Sequence, residues 1–112
     1  MHTDIHAKNV ELNAPLRTFI EEKMTDIAHL LGDNAAGTHA SVEVGIPSHH
    51  HQSGPIFYAE ANLTISGGHL LRAEATNHDL HSAIVDVKDD LKVQIKKFKE
   101  KHMDAQRGEK VE

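Results

Sequence analysis

Residues 79–101, DLHSAIVDVKDDLKVQIKKFKEK, constrain the fold of this chain more than any other stretch. Leu80, Ile84, Val87, Leu91, Ile95 and Phe98 recur at intervals of four, three, four, four and three, which predicts one amphipathic helix of about six turns. Advancing about 100° per residue from Lys88 places the apolar stripe at about 260–340°. Lys88, Lys92, Lys96 and Lys99 then fall at about 0–80°, and Asp86, Asp89, Asp90 and Glu100 at about 100–200°. The charges are sorted by sign around the helix. Lys88–Lys92, Lys92–Lys96 and Lys97–Lys101 are like pairs, each costing about 0.2–0.5 kcal/mol where a Glu–Lys pair would stabilise by as much. An anionic partner lying along the lysine ridge relieves that repulsion. A lysine-rich last turn that complements the helix dipole is the plainer reading.

Such a ridge sits oddly in a chain of net charge −5 until the charge is divided along the sequence. Residues 1–87 hold four bases against eleven acids, whereas residues 88–101 hold six lysines against three. The basic character is local, and at a Debye length of about 8 Å a partner meeting only that helix sees a positive surface. The acidic remainder disfavours indiscriminate binding to free nucleic acid and points to a shaped site. At 112 residues the chain is long enough for one modest core. There is no cysteine, hence no disulfide and no thiolate nucleophile or ligand. No apolar run reaches the ~18 residues of a membrane span, and MHTDIHAKN lacks the basic and apolar regions of a signal peptide. A cytoplasmic protein is expected.

The rest of the chain supplies a second helix and four strands. Thr3, Ile5 and Ala7 alternate with Asp4, His6 and Lys8, a short strand. Asn13 is suited to cap a helix, Pro15 to its first turn and Gly32 to its end, and residues 14–31 carry apolar side chains at helical spacing. Alternation over residues 40–46, 57–65 and 70–76 predicts three more strands. The polar loop PSHHHQSGP separates the first two of these, and Gly67-Gly68 turns between the last two. Asn77 or Asp79 can cap the final helix. The order βαβββα predicts an α+β two-layer fold. Its four-stranded mixed sheet has both helices on its apolar face and leaves His6, Lys8, Glu43, Tyr58, Glu60, Asn62, Arg72 and Glu74 open to water. Residues 1–101 are expected to form one domain, and residues 102–112 a flexible tail.

Enzyme chemistry finds little support. There is no Gly-rich phosphate loop after a strand and no nucleophile elbow. Glu60 beside Arg72 and Glu74 is better read as cross-strand ion pairing than as an acid–base pair. Eleven histidines are the oddest feature of the composition. His49, His50 and His51 in the loop, and His78 and His81 three residues apart, are candidate metal ligands, although a specific zinc site takes three or four ligands from rigid positions. Adventitious zinc or nickel binding is expected, with no assigned metal site and no cofactor. His81 falls on the ridge side at about 20°, so its protonation in mild acid would add to the positive surface. The ridge, with Arg72 and Lys8 on the sheet, is the best candidate site. A lysine-bearing helix on a two-layer fold is also how double-stranded RNA is gripped through phosphate and shape.

The run YAEANLTISGGHLLRAEATNHDLHSAIVDVKDDLKVQIKKFKEK resembles the ribosome hibernation-promoting factors and ribosome-associated inhibitor A, the sigma-54 modulation family. The match lies in a strand, a Gly turn, the L-x-A-E strand, an Asp-aliphatic helix start and a lysine-rich amphipathic helix. The short first strand and APLRTFIEEKMTDIAHLL agree too. The resemblance implies a βαβββα domain akin to double-stranded RNA-binding folds, seated on the small ribosomal subunit against 16S rRNA in the channel of messenger and transfer RNA. Proteins of this kind reversibly inactivate idle ribosomes, without catalysis or cofactor. By position, the RNA-binding residues implied are Lys23, Arg72, Lys88, Lys92, Lys96, Lys97 and Lys99. The dimerisation domain of the long members has no counterpart here, so a short form, monomeric off the ribosome, is expected. The competing expectation is a histidine-rich, metal-responsive interaction module on the same fold.

Overall fold

The computed structural model describes residues 1–47 and 56–111, with side chains as far as Lys101. Its elements follow the predicted order: β1 (His2–Lys8), α1 (Ala14–Leu31), a 3-10 helix (Gly32–Gly37), β2 (His39–Gly45), β3 (Phe57–Ile65), β4 (His69–Asn77) and α2 (Leu80–Val111). Each helix start has a local cause. The Asn13 side chain accepts the Leu16 N–H at 2.9 Å, and Pro15 sits in the first turn of α1 where a missing N–H costs nothing. At the start of α2 it is Asp79 that caps: its carboxylate accepts the Ser82 N–H at 2.9 Å and the Ser82 hydroxyl at 2.7 Å. Those two bonds hold the Asp79 carboxyl below its ordinary range. Asn77, the other expected cap, instead accepts the Asp79 N–H at 3.1 Å.

Gly32 ends α1 at φ 59°, where its N–H returns to the carbonyls of Ala28 and His29. The connection expected as a plain turn then winds into the 3-10 helix, closed by Thr38 Oγ1 donating to the Asn34 carbonyl at 2.6 Å. Thr38 is buried, and that bond satisfies its hydroxyl. The helical backbone of α2 continues ten residues past Lys101, the end expected from the apolar stripe. No proline interrupts that stretch and its first glycine is Gly108, so nothing local forces a stop earlier.

The sheet order is β1-β2-β3-β4, with β1 parallel to β2 across the α1 crossover and the other neighbours antiparallel. Gly67 and Gly68 turn the β3–β4 hairpin at φ 98° and 91°, the left-handed region open to glycine. Ala40, Val42, Val44, Ala59, Ala61, Leu63, Ile65 and Ala73 bury one face of the sheet. Leu16, Ile20, Met24, Ile27 and Leu31 of α1 and Ala83, Ile84, Val87, Leu91 and Ile95 of α2 close over it as one core. Alanines at 40, 59, 61 and 73 let the helices approach closely, and each large aliphatic side chain removed from water stabilises by about 1.5–3 kcal/mol. The opposite face carries the polar alternates, as the two-layer expectation requires.

Candidate nucleic-acid interface

Because α1 and α2 lie side by side on the sheet, α2 has two distinct flanks. One meets α1: Lys88 Nζ lies 3.5 Å from Asp26 Oδ2, and Lys99 Nζ donates to the Leu30 carbonyl at 2.9 Å. The other meets the sheet edge, where Gln94 Nε2 donates to the Arg72 carbonyl of β4 at 2.7 Å. The lysine ridge therefore borders the interhelical groove. A depression of about 620 Å³ opens there between Leu30, Val93 and Ile95 and the stems of Lys92, Lys96 and Lys99, with Asp89 and Glu100 also on its rim. A second, of about 260 Å³, is lined by Asp26, His29, Leu30, Lys88 and Lys92. Aliphatic stems over an apolar floor with ammonium heads at the rim is the usual posture of such lysines.

The seven expected basic residues do not form one set. Lys92 and Lys96 are exposed and have no hydrogen-bond or ion-pair partner among the described residues. Lys88 is only 18% exposed and Lys99 half-buried, so both are partly committed to holding α1. Lys23 lies at the other end of the α1–α2 seam, its Nζ 4.9 Å from the Phe19 ring centroid, a cation–π contact. Phe19 in turn packs edge-on against His81 with centroids 4.5 Å apart. His81 thus joins the groove side, as its helical angle indicated. Lys97 is exposed and sits about 100° around α2 from Lys96, on the side of the helix turned away from the apolar stripe.

Arg72 corrects the picture of a single basic surface. Its side chain stands on the open face, with Nη2 3.3 Å from Glu60 and 3.2 Å from Glu74, and the sheet separates it from the helices. Strand alternation decides this, since Ala73 next to it is in the core. Lys8 shares that open face. Glu43, Glu60 and Glu74 form one cross-strand row, which Arg72 partly neutralises. Tyr58 donates its hydroxyl to Glu43 Oε2 at 2.7 Å. Desolvation, then that bond and the charges of Glu43 and Glu60, push the Tyr58 hydroxyl up to about 12. An acidic open face is a poor phosphate surface, whereas the groove, with Lys88, Lys92, Lys96 and Lys99 against Asp26, Asp89 and Glu100, is the more basic of the two.

Asp26, Phe19 and Val93 take part in the groove without having been singled out in the sequence. Phe19 was part of the apolar stripe of α1, and Val93 lies off the stripe of α2 at about 140°, an available signal of apolar surface outside the core. Val93 is 53% exposed. Of the metal-ligand candidates, His49, His50 and His51 lie outside the described residues, and His78 and His81 join no group of three ligand side chains among them. No helix among the described residues is long and apolar enough to cross a membrane.

Comparison with known proteins agrees with this architecture. The "ribosome hibernation promotion factor" of Deinococcus radiodurans is 27% identical over 99 residues, covering 88% of this chain and 49% of that protein. The chain thus spans about half the length of that relative. Among solved structures, the N-terminal domain of Thermus thermophilus Protein Y superposes with a TM-score of 0.71 at 24% identity, over 88% of this chain and 99% of that one. A ribosomal subunit interface protein from Coxiella burnetii gives 0.68 at 19% identity, over 88% and 98%. At these identities the two structures speak for the fold alone. The family model described as sigma 54 modulation protein / S30EA ribosomal protein matches residues 3–103, nearly the whole length, and the chain belongs to that family.

Proposed function

We propose that this protein is a ribosome hibernation factor that docks on the small ribosomal subunit through the α1–α2 groove and reversibly inactivates idle ribosomes. Lys92 and Lys96 contact the phosphates of 16S rRNA in the channel used by messenger and transfer RNA. Lys88, Lys99 and Lys23 reinforce the field along the α1–α2 seam, whereas Lys97 stands on the solvent side of α2 and Arg72 on the open face, where they can meet only a surface that wraps around the domain. The observation that carries this reading is a pair of exposed lysines, without an ion-pair or hydrogen-bond partner among the described residues, on the one basic helix of an otherwise acidic chain. Family membership and the name of the Deinococcus radiodurans relative support it. The action is binding and occlusion, with no bond made or broken and no cofactor. Residues 1–101 constitute the binding domain, acting in the cytoplasm as a monomer when off the ribosome, with residues 102–112 as an appended tail.

Co-sedimentation with isolated small subunits over a salt series tests the proposal. The wild-type chain is expected to bind with strong salt dependence, and Lys92→Ala with Lys96→Ala to lower the slope of log K against log salt by about 1.5. Charge reversal at both positions should abolish binding with the circular dichroism spectrum unchanged. Absence of wild-type binding at low salt would remove the assignment, and full binding by the reversed variant would move the site elsewhere.

A further inference from the structure

We propose that His2, Asp4 and His39 form a binding site for a divalent transition-metal ion of the zinc class, on the open face of the sheet, where the ion ties edge strand β1 to β2. The site is on the far side of the sheet from the helices and is independent of the ribosome reading.

The parallel register builds the cluster. His2 and His39 are direct partners across β1 and β2, and their rings stack with centroids 5.1 Å apart, close to the spacing of neighbouring strands. Asp4 is two residues further along β1 and so on the same face, with one carboxylate oxygen toward each ring. His2 Nε2 lies 3.3 Å from Oδ1 and His39 Nε2 3.2 Å from Oδ2. The three ligand atoms all fall within 4.8 Å of one another.

The two His–Asp contacts have ordinary ion-pair distances, so what points to an ion is the juxtaposition of two imidazoles and one carboxylate on one face. Two protonated imidazoles stacked face to face would repel. A four-coordinate ion with bonds of about 2.0–2.1 Å sets neighbouring ligand atoms about 3.3–3.4 Å apart, which ligand atoms already within 4.8 Å of one another reach by small side-chain rotations. Bound this way, both rings stay neutral, the carboxylate keeps its charge, and at least one position remains for water. Two imidazoles and a carboxylate suit zinc, nickel and copper and disfavour magnesium and calcium. These ligands stand on paired strands, which supplies the rigidity a specific site requires. Binding only to the folded chain, the ion adds to stability by mass action.

The histidine loop must be silenced before the site can be read. The test is a chelator-competition titration of the full chain with Zn²⁺ in a His49→Ala, His50→Ala, His51→Ala background, then with Asp4→Asn or His39→Gln added. One zinc per chain is expected in the background, with affinity falling about 100-fold or more in either added variant, since even outer-shell partners cost about 10–100-fold. Zinc at 100-fold above its Kd should raise the Tm by about 10 °C, and the rise should vanish in Asp4→Asn. Unchanged spectra and Tm in the presence of EDTA show that the variants fold. No zinc bound in the loop-less background, or binding indifferent to both substitutions, overturns the proposal.

Discussion

The ammonium of Lys99 donates to the carbonyl of Leu30 at 2.9 Å, across 69 residues of sequence, and so pins the end of α2's apolar stripe to the last turn of α1. Leu30 is one of the final residues of α1, whose carbonyls find no partner within the helix. A cation there serves both the open acceptor and the helix dipole. Lys88 makes a second tie to α1 about three turns earlier, against Asp26. The ridge is thus two structural lysines flanking two that have no partner among the described residues.

That division separates stability from binding. Lys99→Met keeps the aliphatic stem and removes the donor, and should cost about 1–2 kcal/mol in urea denaturation. Lys88→Met, which loses a partly exposed ion pair, should cost about 0–1 kcal/mol. Lys92→Met with Lys96→Met should leave stability within about 0.5 kcal/mol, as surface changes do. If the last pair proves the most destabilising, the assignment of structural and free lysines is reversed.

Arg72→Ala leaves Glu60 facing Glu43 on one side and Glu74 on the other with their shared cation gone. The expected loss is about 1 kcal/mol or less, largest at low salt, because like charges directly opposite are destabilising and salt screens them. Small-subunit binding should change far less than in the Lys92 and Lys96 variants. A binding defect as large as theirs, with stability intact, would bring the open face into the interface.

Tyr58 is the only tyrosine of the chain, so its absorbance near 295 nm on alkaline titration reports one group. The midpoint is expected near 12 in the folded protein against about 10 when unfolded, and Glu43→Gln should lower it. Since the folded value is the higher one, this contribution to stability is complete below about pH 10 and lost as the pH rises toward 12. A midpoint near 10 in the native state would mean that the Glu43 bond does not form in solution.

At the start of α2, Asp79→Ala removes the acceptor of two Ser82 bonds and should lower the urea midpoint, whereas Asp79→Ser, which keeps a capping oxygen, should restore most of it. The Asp79 carboxyl titrates below its unfolded value, so its contribution is present above about pH 4 and fades as the pH falls through the lower folded value. Comparison of the acid limbs of stability for wild type and Asp79→Ser checks this: identical limbs would show that the carboxylate contributes nothing as an ion.

Much of the architecture was legible along the chain. The spacing from Leu16 to Leu31 and from Leu80 to Phe98, and the alternation from Phe57 to Ile65, are periodicities of the backbone itself, and burial of one face follows from them. Asn13, Pro15 and Gly32 marked the bounds of α1 because capping is a local bond between neighbours. The end of α2 was not legible, since the apolar stripe stops where the core stops while the helical backbone runs on to Val111.

The sequence by itself determined the elements, their order, the apolar faces and the presence of a lysine ridge, because each depends on residues within a few positions of one another. Only the tertiary structure decided which lysines remain available, for Asp26 and Leu30 come to Lys88 and Lys99 through the side-by-side packing of α1 and α2. It also put Arg72 behind the sheet among carboxylates, and set His39 beside His2 and Asp4 through the parallel register of β1 and β2. A charge pattern states what a side chain carries, whereas its availability depends on partners brought from far along the chain by burial of the common core.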